Sequence, residues 1–147
     1  MALRRQALEA VLRVARLREQ QAAAQAQRER KKLFDAVGAA RQLDQFAEEY
    51  RSDLPRIMSR GHALPSELVN TLEFARKLES TAHEQRIASE PQRQITEAAV
   101  AQHQALKLRL DGLEKLERRA RSEAIAEMQL REVRENEDAV SARLHRR

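Results

Sequence analysis

The 147-residue sequence contains no cysteine and no tryptophan, and only three glycines and three prolines. Without cysteine the chain has no disulfide framework and no thiolate chemistry, so we expect a reducing, cytosolic setting. Aromatic residues make up 3% of the chain, whereas charged residues make up 35%. Aromatic side chains carry much of the burial in a globular core. The composition therefore favours a long helical protein over a globular one.

The sequence has no long hydrophobic run, so we expect neither a transmembrane span nor a secretory signal. Its formal charge is +5, and most of the excess lies near the ends. Residues 1–32 hold nine Lys/Arg against three Glu, and residues 118–147 hold eight Arg against six Asp/Glu. Arg residues near the C-terminus alternate with Glu, and stacking aromatics are missing at both ends, so nucleic acid is not an expected partner.

An apolar seam steps alternately four and three residues along the first third of the chain. This spacing of about 3.5 residues is typical of a coiled-coil helix. Twelve of its fourteen positions are apolar, the exceptions being Glu19 and Glu29. The seam consists of Leu8, Leu12, Ala15, Glu19, Ala22, Ala26, Glu29, Leu33, Ala36, Ala40, Leu43, Ala47, Tyr50 and Leu54. Pro55 disfavours helical geometry at Leu54, so we expect the first helix over residues 3–54.

The segment 55–65 is predicted to be a turn, and Ser66 with Glu67 supplies a helix start. We expect the second helix over residues 66–144, kinked near Pro91. Its seam comprises Leu68, Leu72, Ala75, Ala82, Ile95, Ala99, Leu106, Leu110, Leu113, Ala120 and Ala124, and a last stretch, Leu130, Val133, Val140 and Leu144, keeps the spacing with Glu137 as its exception. The predicted fold is all-α, a single antiparallel two-helix coiled-coil hairpin over residues 1–147.

The two predicted helices differ in length. If Leu54 faces Ser66, Leu3 lies opposite Glu117, and roughly 45 Å of the second helix overhangs without a partner in the chain. Its exposed apolar residues would be Ile125, Met128, Leu130, Val133, Val140 and Leu144. Because most helical stability comes from packing an apolar face, we expect this overhang to be covered. A groove in another protein, fraying and a homodimer seam all remain open.

Three of the four aromatic residues lie near the predicted turn. Phe46 lies beside the seam, and the same register places it opposite Phe74. The aromatic residues could widen the hairpin core, or they could form an exposed docking patch.

No catalytic, cofactor-binding or metal-binding residues are predicted. The isolated glycines cannot form a phosphate-binding loop, and the four histidines include no pair at metal-ligand helical spacing. A two-helix hairpin also has no concave site that could exclude water, so we do not expect an enzyme.

Three segments carry a family resemblance: LDQFAEEYRSDL at residues 43–54, LEFARKLE at residues 72–79 and LEKLERR at residues 113–119. Together they resemble the FliJ family, the stalk proteins of the bacterial flagellar type III export apparatus. The stalk protein of virulence injectisomes is a related family. The resemblance implies an antiparallel coiled coil whose paired ends enter the hexameric export ATPase, FliI, and whose tip reaches the membrane export gate, FlhA. It also implies binding to export chaperones.

The resemblance assigns gate binding to a group that we call the aromatic patch: Leu43, Phe46, Tyr50, Phe74 and Leu78. Ala39, Thr81 and Gln85 depart from the family pattern. Together with the basic ends of the chain, the resemblance suggests ATPase binding by Arg4, Arg5, Leu130, Arg131, Val133, Arg134, Val140 and Leu144.

The resemblance thus predicts a non-enzymatic coupling component of flagellar export. We expect a cytoplasmic location peripheral to the inner membrane, no direct membrane insertion, and a monomer outside the complex. The alternatives are an escort for export chaperones, an injectisome stalk protein, and a structural homodimeric coiled coil.

Overall fold

The chain is all-helical in the computed structural model, which describes residues 2–62 and 64–146. Helix α1 spans Ala2–Ser59 and helix α2 spans Pro65–His145. No strand occurs among these residues, so the predicted all-α class is confirmed. Of the predicted domain, Met1, Ala63 and Arg147 lie outside the described residues.

The chain divides into two compact units. The terminal unit combines Met1–Gln20 with Gln104–Arg147, and the hairpin unit comprises Gln21–His103. Each unit therefore contains part of α1 and part of α2.

Ion pairs and hydrogen bonds establish that the two helices are antiparallel in the hairpin unit. Arg51 Nη2 donates to Glu79 Oε2 at 2.8 Å, and Asp44 forms an ion pair with Arg86. Farther along, Gln92 Nε2 donates to Glu29 Oε2 at 2.6 Å. As the residue number falls on α1, the number of its partner on α2 rises, which is the order that an antiparallel pair requires.

In the terminal unit, Arg16 of α1 forms ion pairs with Glu114 and Glu117 of α2, at 3.7 and 3.9 Å. Leu12 and Leu110 are buried in this unit, with exposed fractions of 2% and 9%. The two helices thus pack against each other here as well.

The seam predicted for α1 is the face that the structure buries. Thirteen of its fourteen positions are buried or half-buried, and Tyr50 is the exception. Several buried positions are alanines, including Ala26, Ala40 and Ala47. Small side chains at the seam let the helices approach closely, but they bury little apolar surface each.

The seam predicted for α2 is partly wrong between Ala82 and Ala99. Ile95 is half-exposed, whereas the neighbouring Ser89 and Thr96 are buried and Gln92 is half-buried. The buried hydroxyls are satisfied locally: Ser89 Oγ donates to the Arg86 carbonyl at 2.7 Å. Polar residues therefore complete the seam here, which an apolar pattern could not reveal.

Helix α1 continues through Pro55 to Ser59, five residues beyond its predicted end. Pro55 cannot donate a hydrogen bond to the Arg51 carbonyl. Both residues are exposed, so water can satisfy that carbonyl. Leu54 and Ile57 on either side are half-buried, and their packing offsets the cost of the proline.

The connection between the helices is shorter than the predicted turn. Gly61 has a positive φ of 67° and its N–H donates to the Met58 carbonyl at 3.4 Å, which closes the end of α1. Helix α2 begins at Pro65, and the Leu64 carbonyl accepts from the Glu67 N–H at 3.0 Å. The helix start predicted at Ser66 is therefore one residue late. Helix α2 runs on through Pro91, where the expected kink stays a prediction.

Candidate docking surfaces

The aromatic patch lies in the hairpin unit and presents three aromatic rings to solvent. Phe46, Tyr50 and Phe74 keep 42%, 40% and 44% of their surface exposed. The rings of Tyr50 and Phe74 meet edge to face, with centroids 4.8 Å apart and an interplanar angle of 75°. Leu43 and Leu78 are half-buried beside them. Such half-exposed aromatic groups are typical of protein docking sites.

The predicted pairing of Phe46 with Phe74 is wrong by one helical turn, because Tyr50 contacts Phe74 instead. The shift follows from the longer α1, which moves the start of the antiparallel register from residue 54 to residue 59. One turn farther from the connection, the same register brings Phe46 of α1 level with Leu78 of α2.

The two flanks of the hairpin unit differ in chemistry. Asp44 and Arg51 lie on one side of the α1 seam and pair with Arg86 and Glu79 of α2. Phe46 lies on the other side of that seam, because it precedes the buried Ala47 whereas Arg51 follows it by one turn. One flank therefore has its charges paired across the helices, while the other offers unpaired apolar surface.

A buried polar cluster interrupts the seam farther from the connection. Glu29 is only 6% exposed, and its carboxylate accepts from Gln92 Nε2 at 2.6 Å and from Gln25 Nε2 at 3.0 Å. Thr96 Oγ1 donates to the Glu29 carbonyl at 3.1 Å. The Gln92 hydrogen bond, with help from Lys32, holds the pKa of Glu29 below its ordinary value of 4.5. The cluster fixes which residues of α1 and α2 face each other at this level.

The second candidate surface is an apolar face of α2 in the terminal unit. We call Leu130, Val133, Val140 and Leu144 the C-terminal stripe. They are 58%, 52%, 57% and 67% exposed, and every residue over 125–146 is exposed. Arg131 and Arg134 lie beside the stripe and are also exposed.

Arg4 and Arg5 are the N-terminal members of the predicted ATPase-binding site. Both are exposed on α1 in the same unit. No hydrogen bond or ion pair links them to the stripe within the part of the chain that the structure describes. The structure thus assigns both groups to one unit without joining them into one site.

The C-terminal stripe does not continue the face that α2 buries in the terminal unit. That face comprises Leu106, Leu110, Leu113, Glu117 and Ala124. Seven-residue steps from Ala124 lead to Arg131 and Asp138, which are charged. The face of the stripe lies one residue before this series at each step, at Leu130, Glu137 and Leu144. One residue corresponds to a rotation of about 100° around the helix. The predicted seven-residue spacing therefore continues into the C-terminal stripe. The apolar face of the stripe, however, is rotated away from the face that α2 buries in the terminal unit.

A groove that the sequence did not reveal lies in the terminal unit. It encloses about 280 Å³ and has a mainly apolar lining, with Arg18 and Arg109 among its walls. Val11 and Val14 give the groove its apolar exposed surface, at 43% and 49%. The sequence does contain one indication of this groove, because Val11 and Val14 directly precede the seam positions Leu12 and Ala15. The complete lining is Ala10, Val11, Val14, Ala15, Arg18, Leu106 and Arg109.

The two units differ in charge. The terminal unit holds sixteen Lys/Arg and eleven Asp/Glu, whereas the hairpin unit holds twelve of each. The whole formal charge of +5 therefore belongs to the unit that contains the C-terminal stripe.

Residues 2–62 and 64–146 contain neither a metal-binding cluster nor a membrane-spanning helix. No group of three acidic or histidine side chains in this range could hold a metal ion. No helix within the same range is long and apolar enough to cross a membrane.

Comparison with known proteins identifies the family. No curated protein and no solved structure shows significant similarity to the chain. A family model described as "Flagellar FliJ protein" matches residues 4–147. That family consists of structural and export proteins and is not a known enzyme family. Because the match covers nearly the whole chain, the protein belongs to the FliJ family and has a role connected with flagellar protein export.

Proposed function

We propose that this protein is the non-enzymatic stalk of a flagellar type III export apparatus. Its terminal unit binds inside the hexameric export ATPase FliI, and the aromatic patch binds the cytoplasmic part of the export gate FlhA. The chain thereby couples the ATPase to the gate. This role implies a cytoplasmic location, peripheral to the inner membrane through the apparatus.

The observation that carries the proposal is the unequal division of charge and apolar surface. One unit is basic and bears an exposed aliphatic face, while the other is neutral and bears exposed aromatic rings. A coupling protein needs two surfaces of different chemistry, so that each partner selects its own end.

For the ATPase, we propose that α2 extends beyond its pairing with α1 and enters the ring as a single helix. The exposure of residues 125–146 supports this overhang. The C-terminal stripe would supply the apolar contact. Arg4, Arg5, Arg131 and Arg134 would be attracted by acidic surfaces of the ring, which speeds association and orients the helix.

For the gate, we propose that Phe46, Tyr50 and Phe74 insert into an apolar surface of FlhA. Leu43 and Leu78 border the same contact. Aromatic residues are favoured at the centres of protein interfaces, because each buries a large rigid area. The paired charges on the opposite flank of the hairpin unit would remain in solvent.

The protein acts as a monomer and also binds export chaperones in this proposal. A purely structural homodimer and a chaperone escort are the competing roles, and each would leave the ATPase unaffected.

Hydrolysis by the purified export ATPase tests the proposal, measured alone, with the full chain, and with a chain ending at Arg121. We expect stimulation by the full chain and loss of stimulation on truncation. The matched control is the full chain with Phe46 and Tyr50 changed to Ala, which should stimulate as well as the wild type. Equal rates with every chain, or undiminished stimulation by the truncated chain, would contradict the ATPase half of the proposal.

A further inference from the structure

The C-terminal stripe carries one acidic residue at its centre. Val133, Glu137, Val140 and Leu144 follow one another at four, three and four residues, so all four lie on one helical face. A shallow groove on this face is lined by Val133, Asn136, Glu137, Val140, Ser141 and Leu144. Glu137 has no ion-pair partner in the described part of the chain.

We propose that Glu137 selects the partner of the stripe: it requires a Lys or Arg on the partner at its own level, and it prevents the stripe from pairing with a second copy of the chain. This inference rests on the proposed function, in which the partner is the export ATPase.

The requirement for a cation follows from the position of Glu137. A partner that covers Val133 and Val140 also covers the carboxylate between them, and removes it from water. Burying an unpaired carboxylate is strongly unfavourable, whereas a charge-assisted hydrogen bond to Lys or Arg compensates for the lost hydration. An entirely apolar partner surface would therefore be rejected.

The exclusion of a second copy follows from the same position. Two stripes aligned in parallel and in register would bring two Glu137 carboxylates together in an apolar interface. Like charges placed together in this way disfavour the pairing, as polar residues at seam positions do in coiled coils. Without Glu137, the apolar residues at this spacing would form a seam suited to self-association.

Helix α1 of the same chain does not compete for the stripe. The stripe is rotated by about 100° from the face of α2 that packs on α1 in the terminal unit. A separate protein therefore has access to it while the two helices remain paired.

The test compares three substitutions in the full-length chain. Glu137→Lys reverses the charge within the stripe, and Glu137→Leu completes the apolar face. Glu135→Lys is the matched control, because it makes the same charge change two residues before Glu137. That position lies on the opposite side of the helix. Circular dichroism checks that each variant remains helical.

Binding to the purified export ATPase is measured first. We expect Glu137→Lys to weaken binding by about 30-fold or more, since it buries two like charges, and Glu135→Lys to change it by less than about threefold. Equal effects of the two substitutions would overturn the proposed selection. An ATPase that does not bind the wild-type chain at all would instead overturn the proposed function, and with it the partner named here.

Sedimentation equilibrium of the chain alone tests the second half without the ATPase. We expect the wild type to be monomeric and Glu137→Leu to form dimers at the same concentration. A monomeric Glu137→Leu variant, or a dimeric wild type, would overturn the claim that Glu137 prevents self-pairing.

Discussion

Changing Phe46 to Ala should weaken binding to the export gate without preventing folding. Phe46 is 42% exposed and lies on the flank of the hairpin unit opposite the ion pairs Asp44–Arg86 and Arg51–Glu79. It does not take part in the ring contact between Tyr50 and Phe74. It is therefore the member of the aromatic patch whose removal least disturbs the other two rings.

The expected effect follows from the surface that Phe46 still exposes. A phenylalanine side chain offers about 200 Å² in all, so 42% exposure leaves about 80 Å² for a partner to cover. At about 25 cal/mol per Å², burying this area contributes about 2 kcal/mol to binding. Its loss corresponds to a rise in Kd of about 30-fold.

The assay is calorimetric titration of the purified cytoplasmic part of the gate with wild-type and variant chains. Phe34→Ala is the matched control, since Phe34 lies on the same helix, outside the aromatic patch, and is 75% exposed. If binding depended on exposed apolar area alone, the more exposed Phe34 would matter more than Phe46. We expect Phe34→Ala to leave the Kd for the gate unchanged.

Thermal denaturation separates binding from folding, because Phe46→Ala also removes packing within the hairpin unit. The titration is therefore performed well below the melting temperature of the variant. Equal effects of Phe34→Ala and Phe46→Ala on Kd would refute the assignment of the aromatic patch to the gate. So would a loss of binding that occurs only where the variant loses its helical signal.

Three further predictions concern stability, each measured by urea unfolding of the full chain. Leu12→Ala removes a fully buried leucine side chain and should cost about 2–5 kcal/mol; a cost no larger than that of Leu3→Ala, at an exposed site, would contradict its core position. Because the folded-state pKa of Glu29 is depressed, its contribution is complete above the ordinary value of 4.5 and is lost as the pH falls through the folded-state pKa. Glu29→Gln should therefore make stability less sensitive to acid, and an unchanged pH profile would argue against the cluster with Gln92. Gly38→Ala should stabilise the chain by up to about 1 kcal/mol, since the added Cβ meets nothing within 4 Å beyond its chain neighbours and the adjacent backbone of its own helix, and destabilisation would show that the glycine is required.

The sequence was sufficient to predict the packed face of α1, because small and apolar residues recur there at a nearly constant interval. Even Glu29 fell on that face, and the structure buries it. Its partners Gln92 and Thr96 were not predictable from hydrophobicity. They are polar, and only the register between the helices reveals that they meet a buried carboxylate.

The low helix propensity of proline led to a predicted end of α1 at Leu54, five residues too early. Pro55 is a strong helix breaker in isolation, but packing of Leu54 and Ile57 outweighs its cost. This error shifted the predicted register between α1 and α2 by about one turn. Phe46 was therefore paired with Phe74, whereas the structure pairs Tyr50 with it. The sequence placed the aromatic residues near the connection, but it did not predict the contact between Tyr50 and Phe74.

The rotation of the C-terminal stripe was present in the sequence but not apparent without the structure. Spacing alone made Leu130 and Leu144 a continuation of the seam. Only the buried face of α2, ending near Ala124, showed that they precede its seven-residue series by one position. A one-residue change of phase is small in sequence and moves a side chain by about 100° around the helix.

We propose a coupling role in which one chain joins the export ATPase to the export gate through two separate surfaces. Its most direct test is gel filtration with mass determination of a mixture of the ATPase, the cytoplasmic part of the gate and this chain. We expect a ternary complex with one chain per ATPase hexamer. A mixture in which the gate displaces the ATPase from the chain would show that the two partners share one surface, and would refute the coupling role.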